Sequence, residues 1–164
     1  MNILSLEQTH YLQVKEIYEQ GIATGNATFE TQAPTWEEWD KSHMKKCRLV
    51  AVDERGNVNG WAALSSVSSR CVYAGVAELS VYVRQNQQGK GIGKKLLEAL
   101  ISESEKQNIW TLQAGIFPEN VASIKIHEQC GFRKVGYHEK IGKMKNVWRD
   151  TVLLERRSEI VGKD

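Results

Sequence analysis

The sequence has few of the residues that stiffen or cross-link a chain. Among its 164 residues are only two prolines, Pro34 and Pro118. The three cysteines are an odd number and none forms a C-x-x-C pair, so reduced thiols are expected rather than a disulfide scaffold. No apolar run approaches the ~20 residues of a membrane-spanning helix, and the start lacks the basic and apolar blocks of a signal peptide. We therefore expect a cytoplasmic protein that does not enter a membrane.

An excess of one charge is also missing. The chain carries 22 Lys and Arg against 20 Asp and Glu, a formal net charge of +2, and the two signs are interleaved. This pattern argues against the basic stripe of a nucleic-acid-binding protein. The histidines His10, His43 and His138 show no metal-ligand spacing, so no metal is expected. No repeat or linker divides the chain, which predicts one domain over residues 1–164.

Hydrophobic periodicity predicts a mixture of strands and helices. Gly21 is expected to end the first helix, a capping box at Thr35 to begin the second, and Asn120 and Gly131 to bound the last. The predicted strands are 2–6, 48–53, 58–64, 76–83, 110–116, 132–138 and 147–155; the predicted helices are 10–21, 35–46, one starting at Ile92, and 120–131. This order predicts an α+β or α/β fold with a mixed central sheet.

A glycine-rich segment, Gln88-Gly-Lys-Gly-Ile-Gly93, joins a predicted strand to the amphipathic helix that begins at Ile92. Free N–H groups and the helix dipole at such a turn favour an anion, and glycines let a phosphate approach the backbone. The lysines at 90, 94 and 95 add positive charge. The spacing matches neither the nucleotide P-loop nor the dinucleotide fingerprint. The segment is therefore either a diphosphate cradle or a flexible connection with solvated lysines.

The loop resembles the Q/R-x-x-G-x-G/A pyrophosphate loop of the GNAT superfamily of N-acetyltransferases. Within that superfamily the chain is most similar to the phosphinothricin and methionine sulfoximine acetyltransferases, and the similarity covers nearly its whole length. It is carried by Asn26-Ala-Thr-Phe29 with Pro34, Arg70 with Tyr73, Ala77-Glu-Leu-Ser-Val-Tyr-Val83, Asn120-Val-Ala-Ser123, His127-Glu-Gln-Cys-Gly-Phe132 and the region of Trp148.

The resemblance implies a GNAT fold, in which helices flank a mostly antiparallel mixed sheet, and acetyl-CoA as cosubstrate. It also implies a bulge near residues 81–83 that exposes backbone groups, with the N–H of Leu79 or Val81 polarising the acetyl carbonyl. A homodimer with the Phe29 segment near the partner is expected. The implied cofactor-binding residues are Val81, Tyr82, Val83, Gln88, Gly89, Lys90, Gly91, Ile92, Gly93, Lys94, Asn120 and Ser123.

Acetyl transfer to an amine requires removal of the amine proton, and Glu78 is the first candidate base. Its position between Ala77 and Leu79 in an alternating strand predicts a partly dry setting with a raised pKa. His127 is the second catalytic candidate, because the helix places it on the side of Ser123 and imidazole can relay a proton near neutral pH. Taken alone, Glu78 fits an exposed or ion-paired strand residue better, and His127 fits a satisfied or exposed surface histidine. The resemblance, which implies a catalytic Glu at position 78 and a His at position 127, favours the catalytic interpretation of both.

For the acceptor, Arg70 is the candidate for binding a carboxylate, with Tyr73 and Phe29 shaping the pocket. Arg70 fits a surface role equally well. The small residues Ala74-Gly75-Val76 replace larger side chains of the herbicide-resistance relatives, which argues against phosphinothricin itself. The expected function is acetyl transfer, in a ternary complex, to the α-amine of a small amino acid or analogue of the phosphinothricin, methionine sulfoximine or sulfone type. The alternatives are an acetyltransferase of protein or peptide N-termini and a non-catalytic CoA-binding module.

Overall fold

A seven-stranded sheet, in the order β1-β2-β3-β4-β5-β7-β6, forms the centre of the computed structural model, which describes residues 1–163. Among these residues β4 and β5 form the single parallel pair, and the other neighbours are antiparallel. This confirms the mixed, mostly antiparallel α+β prediction. The strands are β1 (Asn2–Ser5), β2 (Arg48–Val52), β3 (Val58–Ser66), β4 (Val76–Val83), β5 (Thr111–Ile116), β6 (Arg133–Met144) and β7 (Val147–Arg157); the helices are α1 (Tyr11–Ala23), α2 (Trp36–Ser42), α3 (Ile92–Lys106) and α4 (Val121–Gln129).

The predicted capping box begins α2 as expected. The Glu38 N–H donates to Thr35 Oγ1 at 3.3 Å, and the Thr35 N–H donates to Glu38 Oε2 at 2.9 Å. The prediction that this helix runs to about residue 46 is wrong, because it ends at Ser42. The buried Arg48 side chain donates from Nε to the Met44 carbonyl at 2.8 Å. The backbone just beyond the helix is therefore hydrogen-bonded to a side chain rather than continued as another helical turn.

The prediction that Gly21 ends α1 is also wrong, because the helix continues to Ala23. A Cβ atom at Gly21 would lie 2.7 Å from the ring of Tyr82 on β4. The glycine therefore serves close packing of α1 on the sheet rather than helix termination. The Tyr82 ring also stacks on Trp61, with 4.8 Å between centroids, which fixes the strand below the helix.

The sheet has an apolar core on each face. One core packs the predicted apolar stripe of α3, including the fully buried Leu96, Leu97 and Leu100, against β4 and its neighbours. The other places Trp39 of α2 and Trp61 of β3 beneath α1. The rigid centre of the fold therefore holds β4 on both faces, and β4 carries the candidate base.

The last two strands form a long hairpin at the sheet edge. The strand predicted at 132–138 continues to Met144, because register shifts between His138 and Gly142 let it keep pairing with β7. No residue of β6 is buried, in contrast to the first seven residues of β3, all of which are buried. Across residues 1–163, none of the helices is long and apolar enough to cross a membrane.

Candidate active site

Strands β4 and β5 separate after a short parallel contact, and this separation opens the candidate site. Their pairing ends at Glu78 opposite Gln113. On the other side, β4 pairs with β3 without a break in register up to Val83. The bulge expected near residues 81–83 is therefore not seen in the β3–β4 ladder. The divergence from β5 instead leaves this part of β4 open along one edge.

The direction of the backbone groups on β4 follows from the hydrogen bonds of β3. Leu64 donates its N–H to Cys47 O at 3.1 Å, away from β4. Its cross-strand partner Leu79 therefore turns its own N–H and C=O away from β3, and by alternation so does Val81. Because pairing with β5 has ended, the Val81 groups face the opening. Tyr82 presents its backbone to β3 and only its side chain to the cleft.

Glu78 occupies the last paired position of β4. Its neighbours Ala77 and Leu79 are buried in the core, so alternation turns Glu78 to the opposite face, where it stays accessible. Among residues 1–163 no cation forms an ion pair with it. Desolvation by the surrounding protein raises the pKa of its carboxyl group. A carboxylate in this setting is a better proton acceptor than an ordinary surface glutamate.

His127 lies one helical turn after Ser123 on α4 and is 2% exposed. Its Nδ1–H donates to the Ser123 carbonyl at 2.7 Å, and the ring packs edge-on against Phe132 with 5.1 Å between centroids. Nε2 is buried and has no hydrogen-bond partner within residues 1–163. Burial lowers the pKa of the imidazole, so the ring is neutral at pH 7 with the Nε2 lone pair unengaged. The predicted alignment of His127 with Ser123 is confirmed.

A cleft of about 220 Å³ brings both catalytic candidates together. Eight of the residues singled out in the sequence line it: Phe29, Glu78, Leu79, Val81, Tyr82, Asn120, Ser123 and His127. The cleft also has lining residues that were not predicted as site residues. Thr28 and Ser80 lie inside segments that carry the family resemblance. Phe117, after β5, and Thr151, on β7, lie in segments where no local signal marks them.

The N-terminus of α3 has the backbone shape expected of an anion cradle. Gly89 and Gly91 have φ angles of 76° and 77°, and a Cβ at either would meet no atom within 4 Å. The first helical hydrogen bond runs from Lys95 N–H to Gly91 O, so the N–H groups of residues 92–94 precede the ladder. These features fit the pyrophosphate of acetyl-CoA.

Side chains around this cradle divide into buried and charged ones. Ile92 is 4% exposed and packs in the core, so it can offer a ligand only its backbone. The nearest lysines have partners of their own: Lys90 Nζ donates to Gln87 Oε1 at 2.9 Å, and Lys94 lies 3.8 Å from Glu98 Oε1. Gln88 ends the preceding turn. Backbone groups are therefore the principal donors that the N-terminus of α3 can offer an anion. None of residues 88–94 is among those that line the cleft around Glu78 and His127, so their role in cofactor binding stays a prediction.

Asn120 caps α4, as expected. Its Oδ1 accepts from the Ser123 N–H at 3.3 Å, and its Nδ2 donates to the Asn26 carbonyl at 3.3 Å. The second contact ties the start of α4 to the loop that carries Phe29. The Phe29 ring packs edge-on against Phe117, with 4.9 Å between centroids. Asn120 therefore connects the two sides of the cleft.

Arg70 and Tyr73 do not line this cleft. They lie in the turn before β4, where the Arg70 guanidinium sits 5.5 Å from the centroid of the Tyr73 ring and Tyr73 is 45% exposed. Gly75 in the same turn packs beneath Trp110, since a Cβ would fall 2.0 Å from the indole. Gly75, one of the small residues noted in the sequence, is therefore required by its contact with Trp110. The role of Arg70 and Tyr73 in acceptor binding stays a prediction.

No group of three or more His, Cys, Asp or Glu side chains within residues 1–163 is arranged to hold a metal ion. The three cysteines are free, and burial raises the pKa of the Cys47 thiol to about 11.

Comparison with known proteins places this geometry in a family. A family described as acetyltransferase (GNAT) domain matches residues 3–153. A relative from Pseudomonas aeruginosa, named L-methionine sulfoximine/L-methionine sulfone acetyltransferase, is 36% identical over 107 residues. That alignment covers 65% of this chain and 62% of the relative, so less than two thirds of the relative's length is matched.

Two solved structures have the same fold. A GNAT superfamily phosphinothricin acetyltransferase from Sinorhizobium meliloti, in complex with AcCoA, superposes with a TM-score of 0.85 at 27% identity, covering 99% of this chain and 96% of that one. A ribosomal-protein-alanine N-acetyltransferase from Brucella melitensis gives 0.88 at 27% identity, covering 96% and 100%. The separation of β4 from β5 and the glycine-rich turn before α3 agree with this fold. Because the family match extends over residues 3–153, the chain belongs to the GNAT family of acetyltransferases.

Proposed function

We propose that the protein transfers an acetyl group from acetyl-CoA to the α-amine of a small amino acid or analogue of the phosphinothricin, methionine sulfoximine or methionine sulfone type. The observation that carries the proposal is the single cleft in which Glu78, with a raised pKa, and neutral His127 meet beside the open edge of β4. Both reactants bind together in a ternary complex, and the amine attacks directly.

The donor end of the cleft suits acetyl-CoA. Backbone N–H groups of residues 91–94, together with the open approach at Gly89 and Gly91, would hold the pyrophosphate. The free edge of β4 at Val81 and Val83 would pair with the pantetheine amides, and Asn120 and Ser123 would border the same arm. When bound, acetyl-CoA supplies the acetyl group as a reactive thioester.

Glu78 acts as the general base. An amino acid reaches the cleft as an ammonium ion, which has no lone pair until a proton leaves. The partly desolvated carboxylate takes that proton, either directly or through one water molecule. Of the two expected oxyanion donors, Leu79 and Val81, the geometry favours the Val81 N–H, because Leu79 directly follows the last β4–β5 pair and turns its N–H toward β5, whereas the Val81 N–H points away from β3 beyond that pairing.

His127 exchanges a proton through Nε2. Its Nδ1–H is committed to the Ser123 carbonyl, which fixes the tautomer and leaves Nε2 as the atom available to the cleft. Because the neutral ring carries no proton on Nε2, this atom takes the second amine proton, which the nitrogen releases after it has attacked the acetyl carbon. Burial lowers the pKa of the imidazole, so Nε2 readily gives that proton to the thiolate as the C–S bond breaks. Glu78 and His127 thus serve the amine and the leaving group respectively.

The acceptor end is shaped for a small molecule. Phe29 and Phe117 pack against each other, and a Cβ at Gly142 of β6 would lie 2.7 Å from the Phe29 ring, so aromatic groups close this end. The lining residues include three that carry a hydroxyl group and can contact a polar acceptor: Thr28, Ser80 and Thr151. A peptide N-terminus would need an open channel past Phe29, which favours a free amino acid over a protein substrate.

We further infer that the chain is a homodimer through the β6–β7 hairpin. This hairpin exposes large apolar side chains, with Tyr137 57%, Ile141 56% and Trp148 56% exposed. Contact of Phe29 with Gly142 puts the acceptor end beside that surface. Such a patch supports an interface between two copies, in keeping with the family resemblance.

A thiol-release assay with acetyl-CoA and a panel of amines tests the proposed function. We expect release of CoA with methionine sulfone or sulfoximine, and no release with an alanine-terminated peptide. Glu78→Gln serves as the matched control, because it should still bind acetyl-CoA but release little thiol. Release with the peptide alone would overturn the small-acceptor assignment. Acetyl-CoA binding without release under any amine would instead identify a non-catalytic CoA-binding module.

A further inference from the structure

Arg149 on β7 is a mostly buried cation that lies outside the cleft lining yet joins two separate segments that contribute to it. Its side chain is 13% exposed. Nη1 donates to Gly25 O at 2.8 Å, and Nη2 donates to Asn26 Oδ1 at 2.8 Å and to Glu119 Oε2 at 3.3 Å. The guanidinium also sits 4.2 Å from the centroid of the Phe117 ring. One side chain thus holds the loop before Phe29 and the segment before α4.

The segments that Arg149 joins are those that build the acceptor end. The loop after α1 supplies Thr28 and Phe29 to the cleft, and the segment after β5 supplies Phe117 and Asn120. These segments lie about 90 residues apart in sequence. Among the described residues, the bond from Asn120 Nδ2 to Asn26 O is the one hydrogen bond that joins these two segments directly; the others run through Arg149.

We propose that Arg149 is a positioning residue, which fixes the Phe29 loop against Phe117 and so sets the affinity for the acceptor amine. The planar guanidinium suits this task. Its two terminal N–H groups donate to the Gly25 carbonyl and the Asn26 side-chain amide on the same loop, and its face lies over the Phe117 ring. A lysine presents a single ammonium group and can reproduce neither the fork nor the stacking. The kinetic part of this inference rests on the proposed acetyl transfer.

The effect should fall on the acceptor rather than on acetyl-CoA. Asn120 keeps its own helix-capping bond to Ser123, and the hydrogen bonds of the Arg149 guanidinium go to Gly25, Asn26 and Glu119 rather than to the cradle at α3. Loss of the guanidinium therefore loosens one end of the cleft and leaves the other formed. We expect the KM for the acceptor to rise while the Kd for CoA changes little.

Arg149→Met and Arg149→Lys provide the test, with Arg156→Met as the matched control. Arg156 lies on the same strand, is 22% exposed and bonds to Glu105 of α3 at 3.0 Å, away from the cleft. Both Arg149 variants should raise the acceptor KM about tenfold or more, the scale of one or two lost charge-assisted hydrogen bonds. Calorimetry should give a CoA Kd within about threefold of the parent protein, because the donor end is unchanged. Arg156→Met should leave the acceptor KM unchanged.

Hydrogen exchange supplies a readout that needs no acceptor. Amides of residues 25–29 should exchange faster in both Arg149 variants than in Arg156→Met, after thermal melts confirm that each protein is folded. If Arg149→Met fails to fold, Asn26→Ala removes a single acceptor of the guanidinium and should give a smaller rise in acceptor KM. Unchanged exchange at residues 25–29, or full rescue by lysine, would overturn the proposal. Faster exchange without turnover on any amine would contradict the acetyl-transfer assignment but support the structural role of Arg149.

Discussion

The two ends of the cleft are built from different parts of the chain. At the proposed donor end, one continuous segment from Gln88 to Lys94 would form the cradle, and the groups it offers a pyrophosphate would belong to the backbone. At the acceptor end, side chains arrive from a loop, from the end of β5 and from β7, including Phe29, Phe117 and Thr151. The donor end is therefore local in sequence, and the acceptor end exists only once the fold has formed.

This difference has a chemical basis. A pyrophosphate needs closely spaced N–H donors and space around the backbone, and a short glycine-rich turn before a helix supplies both. An acceptor must be distinguished by shape and by a few polar contacts, which many combinations of side chains can provide. The same fold can thus keep one donor site while the acceptor site varies.

Glu78 lines the cleft where β4 and β5 separate, and its replacement should have the largest effect. Glu78→Gln keeps the size of the side chain but removes the proton acceptor, so kcat should fall by at least ~10²-fold, a typical contribution of a general base. CoA affinity should be unchanged. Steady-state kinetics compare the variant with Glu128→Gln, which removes an exposed carboxylate next to His127 that pairs with Lys134. A variant rate near that of the parent protein would exclude Glu78 as the base.

The pH profile of the same pair of proteins gives an independent check. Glu78 is active as the carboxylate, and desolvation raises the pKa of its carboxyl group from 4.5, so kcat should fall as the pH drops through that raised value. Glu78→Gln should lack this acid limb, and Glu128→Gln should retain it. If the fall of kcat at low pH persists in Glu78→Gln, another titrating group in the cleft causes it, and His127 is the next residue to replace.

Replacement of Gly91 should affect the donor end alone. Valine at a φ of 77° is strained, and its side chain would point into the open space from which the pyrophosphate approaches. Gly56 in the turn between β2 and β3 provides a control with equal strain, since its φ is 84° and its surroundings are also open. We expect Gly91→Val to weaken CoA binding about tenfold or more, whereas Gly56→Val lowers the Tm with little change in CoA affinity. Equal CoA affinities in the two variants would place the cradle elsewhere.

The sequence predicted the parts of the molecule that have local causes. The α3 stripe, the Thr35 capping box and the alignment of Ser123 with His127 each follow from helical spacing or side-chain reach. Gly21 and Gly75 were harder to interpret, because the contacts that require a glycine come from Tyr82 and Trp110, far away in sequence. A glycine at a crowded contact looks the same in sequence as one that ends a helix.

Long-range packing also explains what the sequence missed at the site. A family resemblance identified Phe29, but Thr151 and Phe117 lie on strands or strand ends with no distinguishing neighbours. In place of the expected bulge in β4, the structure has a separation of β4 from β5 after Glu78 and Gln113, and this depends on two strands that lie more than 30 residues apart in sequence. Arg149 gave no signal either, because its three partners belong to segments 30 to 124 residues away.

The smallest expected effect concerns the hairpin beside the acceptor end. Trp148→Glu places a charge within the exposed apolar surface of β6 and β7, where Trp148 is 56% exposed, and should convert the proposed dimer to a monomer in light scattering. Leu12→Glu changes an apolar residue on α1 that is 73% exposed, so it should leave the assembly intact. Because Phe29 packs on Gly142 of this hairpin, loss of the partner should raise the acceptor KM a few-fold while the CoA Kd stays constant. A parent protein that is monomeric at assay concentration would contradict the dimer. Equal changes in the acceptor KM and the CoA Kd would instead show that the two ends of the cleft respond as one unit.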